Sequence, residues 1–267
     1  MQLWIHQETV LQFPLWLAPH PYLIHSQRTD TMSHLENSEK LPLAEVAYRR
    51  IKRAIIECHF PPGLQVAEQQ IAHQLNMSRT PVHQAIVMLE QEGWVRLLLR
   101  KGILIAPVTT DHMKDIYQVL MALESAAVLQ LASKDKADTS VDEMLSRASH
   151  KAEVACANDD LRGWAQADDE FHSVLIEGCG NLYLLKMAKS AMEHAHRARL
   201  LTVAIRSKGS IEKANQDHNQ VLMAILERNA QEARQALENH RHRGMSVFIP
   251  ILEKASWLNS NTAVALS

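Results

Sequence analysis

Residues 78–106 read SRTPVHQAIVMLEQEGWVRLLLRKGILIA, and the change of rhythm inside this stretch decides the fold. Ser78 is a candidate N-cap, Pro81 is tolerated in a first helical turn, and Arg79 to Glu92 reads as a helix that Gly93 ends. Val95–Leu99 and Ile103–Ala106 then form two short β-prone runs around Arg100-Lys101-Gly102, the pattern of a small hairpin closed by Pro107. Upstream, Glu68 to Leu75 reads as a short helix ended near Asn76. Leu43 to Cys58 reads as an amphipathic one, with Val46, Ile51, Ala54 and Ile55 at helical spacings. His59-Phe60-Pro61-Pro62-Gly63 breaks the chain between them. Three short helices followed by a hairpin is the winged helix-turn-helix layout.

Downstream of Thr109-Thr110-Asp111 everything reads as helix, over roughly 111–134, 139–157, 160–178, 182–206, 209–228 and 230–256. Short polar breaks such as Asn158-Asp159-Asp160 and Gly178-Cys179-Gly180-Asn181 separate the segments. Helices of this length on short loops imply an antiparallel bundle. The expected class is therefore mainly α: a winged helix-turn-helix domain over 42–107, a bundle of about six helices over 108–257, and a tail over 258–267.

Composition agrees. The chain has 267 residues, of which 46% are apolar and 22% charged, enough for a core and too apolar for global disorder. Aromatics at 5% and only 8 Gly disfavour an all-β protein. Three widely spaced Cys give neither a disulfide framework nor a Cys-rich zinc site, and they fit a reducing cytoplasm. No run of 18 apolar residues exists, so no membrane-spanning helix is expected. Residues 1–41 have no regular period. The apolar run Leu11–Ile24 is broken by Pro14, Pro19 and Pro21 and makes a poor signal peptide. This extension is expected to be disordered, or mis-annotated, with translation beginning at Met32 and residues 1–31 absent.

The net charge of −2 hides an asymmetry. Residues 43–107 hold 8 Lys/Arg against 5 Asp/Glu, whereas 108–267 hold 18 against 21. A basic front module suits DNA. In a winged helix the third helix enters the major groove with its N-terminal residues at base edges or phosphates. Those residues are Ser78, Arg79 and Thr80. The hairpin tip offers Arg100 and Lys101 to the backbone, and Lys52 and Arg53 could clamp phosphate. The bland alternative is an ordinary helical subdomain with solvated charges.

Polar residues on the apolar stripes of the bundle carry the second signal. Asp168 and His172 fall on the stripe of Trp164, Phe171 and Leu175, four residues apart and therefore pointing the same way. His218 precedes Val221, Leu222 and Ile225, and His240 lies among Ala233, Leu237, Gly244 and Val247. A lone inward His is usually a satisfied core residue. An inward Asp is harder to place, because a buried carboxylate needs a counter-charge or several donors. A divalent transition metal (Zn²⁺, Ni²⁺, Mn²⁺ or Fe²⁺) held by Asp168, His172, His218 and His240 would supply it. His194 and His196 are further possible ligands.

The front module resembles the DNA-binding domain of the GntR family of bacterial transcription regulators. The resemblance rests on Pro61-Pro62-Gly63, the Glu68–Leu75 helix, Ser78-Arg79-Thr80-Pro81-Val82, Leu89-Glu90 with Glu92-Gly93, and the Arg100-Lys101-Gly102 tip. His83 stands where the family usually has an Arg that grips DNA. Histidine is mostly uncharged at pH 7, so a weaker or altered operator preference is expected. Residues of about 111–257 look like the FCD ligand-binding domain of FadR-type members, through Asp168-x-x-Phe171-His172, Gly180-Asn181, Asp217-His218-Asn219 and Ala233 to His240. The resemblance implies a homodimer on operator DNA, and a small organic acid effector completing the coordination of the metal. Many members carry an Arg before the pair that is Leu123-Glu124 here. This chain has Leu120 and Met121 in the preceding positions, so Arg197 and Arg199, with Asn181, are the candidate effector contacts. A metal-dependent hydrolase or oxygenase using the same Asp/His set is the alternative, as is a binding module whose His residues only complete a core.

Overall fold

The computed structural model describes residues 41–134 and 139–264. The chain runs through α1 (Leu43–Ile56), β1 (Gln65–Val66), α2 (Glu68–Leu75), α3 (Arg79–Gln91), β2 (Val95–Leu98) and β3 (Gly102–Ile105). It continues through α4 (Thr110–Ala132), α5 (Thr139–Ala157), α6 (Leu161–Gly178), α7 (Leu182–Thr202), α8 (Lys208–Leu226) and α9 (Ala230–Val264). This is the expected class, a winged helix-turn-helix followed by a helical bundle.

In the front module the apolar face of α1 buries Ala47, Ile51 and Ile55 against Ile71, Val82, Ile86, Leu89 and the hairpin residues Ile103 and Ile105. Asn76 caps α2 in the left-handed conformation (φ 53°), which turns the chain sharply into α3. The hairpin pairs Arg96 with Leu104 and Leu98 with Gly102. The sheet also has a third strand that the sequence reading lacks. β1 pairs antiparallel with β3, and the order is β1-β3-β2. Two residues are too few to show an alternating pattern.

Gly102 closes the wing at φ +85°, and a Cβ there would meet the Val66 carbonyl oxygen at 2.6 Å. Gly93 also has a positive φ, but open space around it. Gly102→Ala is expected to cost more than about 1 kcal/mol in urea denaturation, and clearly more than Gly93→Ala. Equal costs would mean that β1 does not press on the wing.

Several bundle helices begin on side-chain caps. Asp160 Oδ1 accepts from Gly163 N (2.9 Å), and Ser207 accepts from Ser210 N (3.3 Å). The segment expected as one helix over 182–206 stops at Thr202 and tightens into a 3-10 turn, Val203–Ile205. Thr202 Oγ1 donates back to the Ala198 carbonyl (3.0 Å), as short hydroxyl side chains do when they compete with the helix ladder. α9 runs through Pro250 to Val264, past the end expected near 256. The expectations for the extension before residue 41 lie outside the described residues. Among the described residues, no helix is long and apolar enough to cross a membrane.

Candidate metal centre

Three helices converge on one polar point inside the bundle. α6 supplies Asp168 and, one turn on, His172; α8 supplies His218 and α9 supplies His240. All four are buried, and His218 is wholly so. One ligand atom from each lies within 4.8 Å of the others. His172 Nε2 and His240 Nε2 are 3.2 Å apart, His218 Nε2 is 3.5 Å from Asp168 Oδ1, and His172 Nε2 is 4.0 Å from Asp168 Oδ2. Bonds of about 2.0–2.1 Å to one ion place neighbouring ligands about 3–4 Å apart, so this set fits a shared cation.

The protonation states suit the same use. Burial and the neighbouring His240 push the His218 pKa far down, and burial brings His240 to about 4, so both rings are neutral at pH 7. Burial alone would raise Asp168. The Arg199 guanidinium outweighs it and holds the carboxyl well below the usual range. Neutral imidazoles and an ionised carboxylate are the forms that bind metal.

Hydrogen bonding gives the sharper test of fit. Neither ring nitrogen of His218 has a hydrogen-bond partner, and its ring is stacked on Phe171 at 4.3 Å. A buried polar group left unpaired costs about 1–3 kcal/mol. Asp168 Oδ2 is likewise without a hydrogen bond; Arg199 Nη2 lies 2.8 Å away, close enough for an ion pair but not aligned to donate. A cation at this point would satisfy Asp168 Oδ2 and one of the two His218 nitrogens, the Nε2 that faces Asp168.

Carboxylates beyond the predicted set flank the rings, close to His172 Nδ1 and His240 Nδ1 but without a hydrogen bond to either. His172 Nδ1 lies 3.2 Å from Glu124 Oε1 on α4. Glu124 is fully buried and bound by both the Nε (2.5 Å) and Nη2 of Arg241. His240 Nδ1 is 3.8 Å from Asp217, which Arg243 grips through two nitrogens at 2.6 and 2.8 Å. Glu124 was legible by the argument applied to Asp168, because it lies on the inner stripe of α4 with Leu120, Ala127, Val128 and Leu131. Beside the cluster is a cavity of about 120 Å³, lined by Asp168, His240, Arg199, Arg206, Lys213 and Arg243 among others.

The other expected contacts divide. Arg199 reaches the cavity. Arg197 does not: it is buried with its guanidinium 6.0 Å from the Trp94 ring centre. Asn181 is exposed, and its Oδ1 caps α7 by accepting from Tyr183 N and Leu184 N, both at 3.1 Å. Neither extra His joins the cluster. His194 stacks on Trp94 (3.9 Å, 8°), and His196 pairs with Asp169.

On the front module Arg53, Ser78, Arg79, Thr80, His83, Arg100 and Lys101 are exposed, with Gly102 in the wing backbone behind the tip. Ser78 has the N-cap backbone but makes no cap hydrogen bond, which leaves its hydroxyl open. His83 Nδ1 lies 3.1 Å from Glu68 Oε2. Lys52 departs from expectation as a phosphate clamp. Its side chain is 12% exposed and its ammonium lies 2.8 Å from Glu92 and 2.6 Å from Glu193 of α7. Two carboxylates already neutralise it.

Residues 43–105 match the pattern described as "Bacterial regulatory proteins, gntR family", and residues 115–243 match the FCD domain. An HTH-type transcriptional regulator from the TAR-I ttuE-ttuC' intergenic region of Agrobacterium vitis is 44% identical over 131 residues, which are 49% of this chain and 77% of that protein. The HTH-type transcriptional repressor GlaR of Escherichia coli is 25% identical over 213 residues, 78% of this chain and 94% of the repressor. Among solved structures, E. coli McbR/YncC has the same fold, with a TM-score of 0.67 at 17% identity over 81% of this chain and all of its own. A GntR transcriptional regulator from Rhodococcus sp. RHA1 follows at 0.62 and 22%, covering 79% and 97%. Winged helix, helical bundle and relatives agree: the chain belongs to the GntR family of bacterial transcription regulators, in the group that carries an FCD domain.

Proposed function

We propose that this regulator, which is not an enzyme, reads operator DNA as a homodimer through residues 42–107 and senses a small carboxylate effector through residues 108–257. In this reading Asp168, His172, His218 and His240 hold a divalent transition metal. Such an ion, with four ligands from the protein, offers its remaining coordination positions to a carboxylate oxygen. The observation that carries the reading is the wholly buried His218 ring, with both nitrogens unpartnered beside an ionised Asp168.

The link to DNA runs along α7. Arg199 lies against Asp168, while Glu193 on the same helix holds Lys52 of α1 and His194 stacks on Trp94. An anion entering the cavity competes for Arg199 and so bears on the helix that the front module rests against. A difference of about 2–3 kcal/mol between the two arrangements changes operator occupancy by tens- to a hundredfold. The test is an electrophoretic mobility shift on the chain's own upstream DNA, with chelated protein, with Zn²⁺, and with Zn²⁺ plus small organic acids. An operator complex that none of these additions alters overturns the sensor reading.

The same assay tests the reader. Arg79, exposed at the start of α3, is expected to fork onto a base edge, so Arg79→Ala costs about 1–3 kcal/mol of binding and relaxes specificity at one position. His83→Arg is expected to strengthen binding or shift its sequence preference. Unchanged affinity in both variants would mean that α3 does not enter the groove by this end.

A further inference from the structure

We propose that the effector carries two anionic oxygen groups, a short dicarboxylate, with one carboxylate at the metal centre and the other on Arg206. This inference rests on the metal and carboxylate reading above and specifies its ligand. The cavity beside the cluster is lined by several cations, and all but one have carboxylate partners. Arg199 has Asp168 and Asp169, Arg241 has Glu124, and Arg243 has Asp217, which also lies 3.5 Å from Lys213. Among the described residues, no carboxylate pairs with Arg206.

Arg206 is nevertheless held in place. Its guanidinium lies over the Trp164 ring, 4.8 Å from the centre, and its Nε is 3.3 Å from Ser210 Oγ. Trp164 is itself wholly buried and fixed by donating Nε1–H to Asn215 Oδ1 at 2.8 Å. Among the described residues, the two terminal nitrogens of Arg206 thus have no hydrogen-bond partner, on a group whose plane is already set. A planar fork with two parallel N–H donors matches a carboxylate. Arg206 and Asp168 line the same cavity, which opens both to a single bound ligand. At about 120 Å³ the cavity is below the roughly 300–1,000 Å³ of sites for drug-sized ligands. That favours a chain of a few carbons over a long acyl group.

Arg206 follows the 3-10 turn that ends α7, and it is that early stop at Thr202 which brings it beside α6.

The test is calorimetric titration of the full-length, Zn²⁺-loaded protein with malonate, succinate and glutarate, each against the monocarboxylate of equal chain length (propanoate, butanoate, pentanoate). At least one diacid is expected to bind about ten- to a hundredfold tighter than its monoacid. Arg206→Gln is expected to abolish that advantage while monoacid binding and metal content stay as in the wild type. Arg206→Lys keeps the charge without the fork and is expected to fall between; it stands in if the Gln variant does not fold. A wild type that prefers no diacid, or an Arg206→Gln variant that keeps the preference, overturns the proposal. Metal content measured on the same samples separates the two levels. Protein that takes up no metal and binds no acid of either kind fails the metal reading, and this inference with it. Protein that holds metal and binds monoacids equally well fails the second anchor alone.

Discussion

Zn²⁺ added to chelator-treated protein will raise its unfolding temperature, and His218→Leu will remove the rise. Metal at about a thousand times its dissociation constant stabilises the folded state by about 4 kcal/mol. For a domain of this size that is a shift of roughly 10 °C. The substitution also reverses a ranking. Without metal, His218 is a wholly buried ring with two unpartnered nitrogens, whose desolvation is uncompensated. A leucine fills most of the space and has no polar atom to strand, so the metal-free variant should be at least as stable as the metal-free wild type. With metal the order inverts. Differential scanning fluorimetry on four samples reads the whole pattern. A metal-independent loss of stability in His218→Leu would make this histidine an ordinary packed core residue, and equal shifts in both proteins would put the cation elsewhere.

The bundle was legible because its helices are long and periodic, so that inward and outward faces separate over several turns. Asp168, His172, His218 and His240 stood out as polar interruptions of those faces, and the structure brings all four together. Residue spacing misleads where the angle around a helix decides the partner. Arg197 and Arg199 are two residues apart, so their side chains diverge. Arg199 meets α6, while Arg197 turns to Trp94 on the front module. Lys52 and Arg53 divide similarly, with Arg53 exposed and Lys52 drawn to Glu193. Such partners are non-local, and nothing in the spacing of one helix announces them. β1 exists only because β3 offers it a free edge, so it has no pattern of its own. Glu124 was missed for a different reason. In the sequence it stands out as a landmark beside Leu123, and only the full stripe of α4 shows it as a carboxylate on an apolar face.

Glu124 therefore carries the second large prediction, and it has two parts that one substitution cannot separate. Its carboxylate is fully buried, bound by two nitrogens of the buried Arg241 and 3.2 Å from His172 Nδ1. Burial alone would raise its pKa, but Arg241 and then His172 hold it well below the usual carboxylate range. A depressed folded-state value stabilises the fold above the unfolded value of about 4.3, and that contribution fades as pH falls toward the folded value. Glu124→Leu leaves the Arg241 guanidinium buried and unpaired, at a cost of about 3–5 kcal/mol, and flattens the acid limb of the stability curve. Removing both charges in Glu124→Leu/Arg241→Met should restore most of that loss, because an apolar pair replaces an ion pair at little net cost. Metal affinity should not return with it. The double variant still lacks the carboxylate beside His172 Nδ1, and loss of a partner that orients a ligand ring lowers metal affinity by about 10–100-fold. Urea denaturation of the chelated proteins reads the first effect, and Zn²⁺ titration against a competing chelator reads the second. If stability and metal affinity recover together in the double variant, Glu124 serves only to neutralise Arg241. If metal affinity alone stays low, the carboxylate on α4 belongs to the metal centre, one helix beyond the three that provide its ligands.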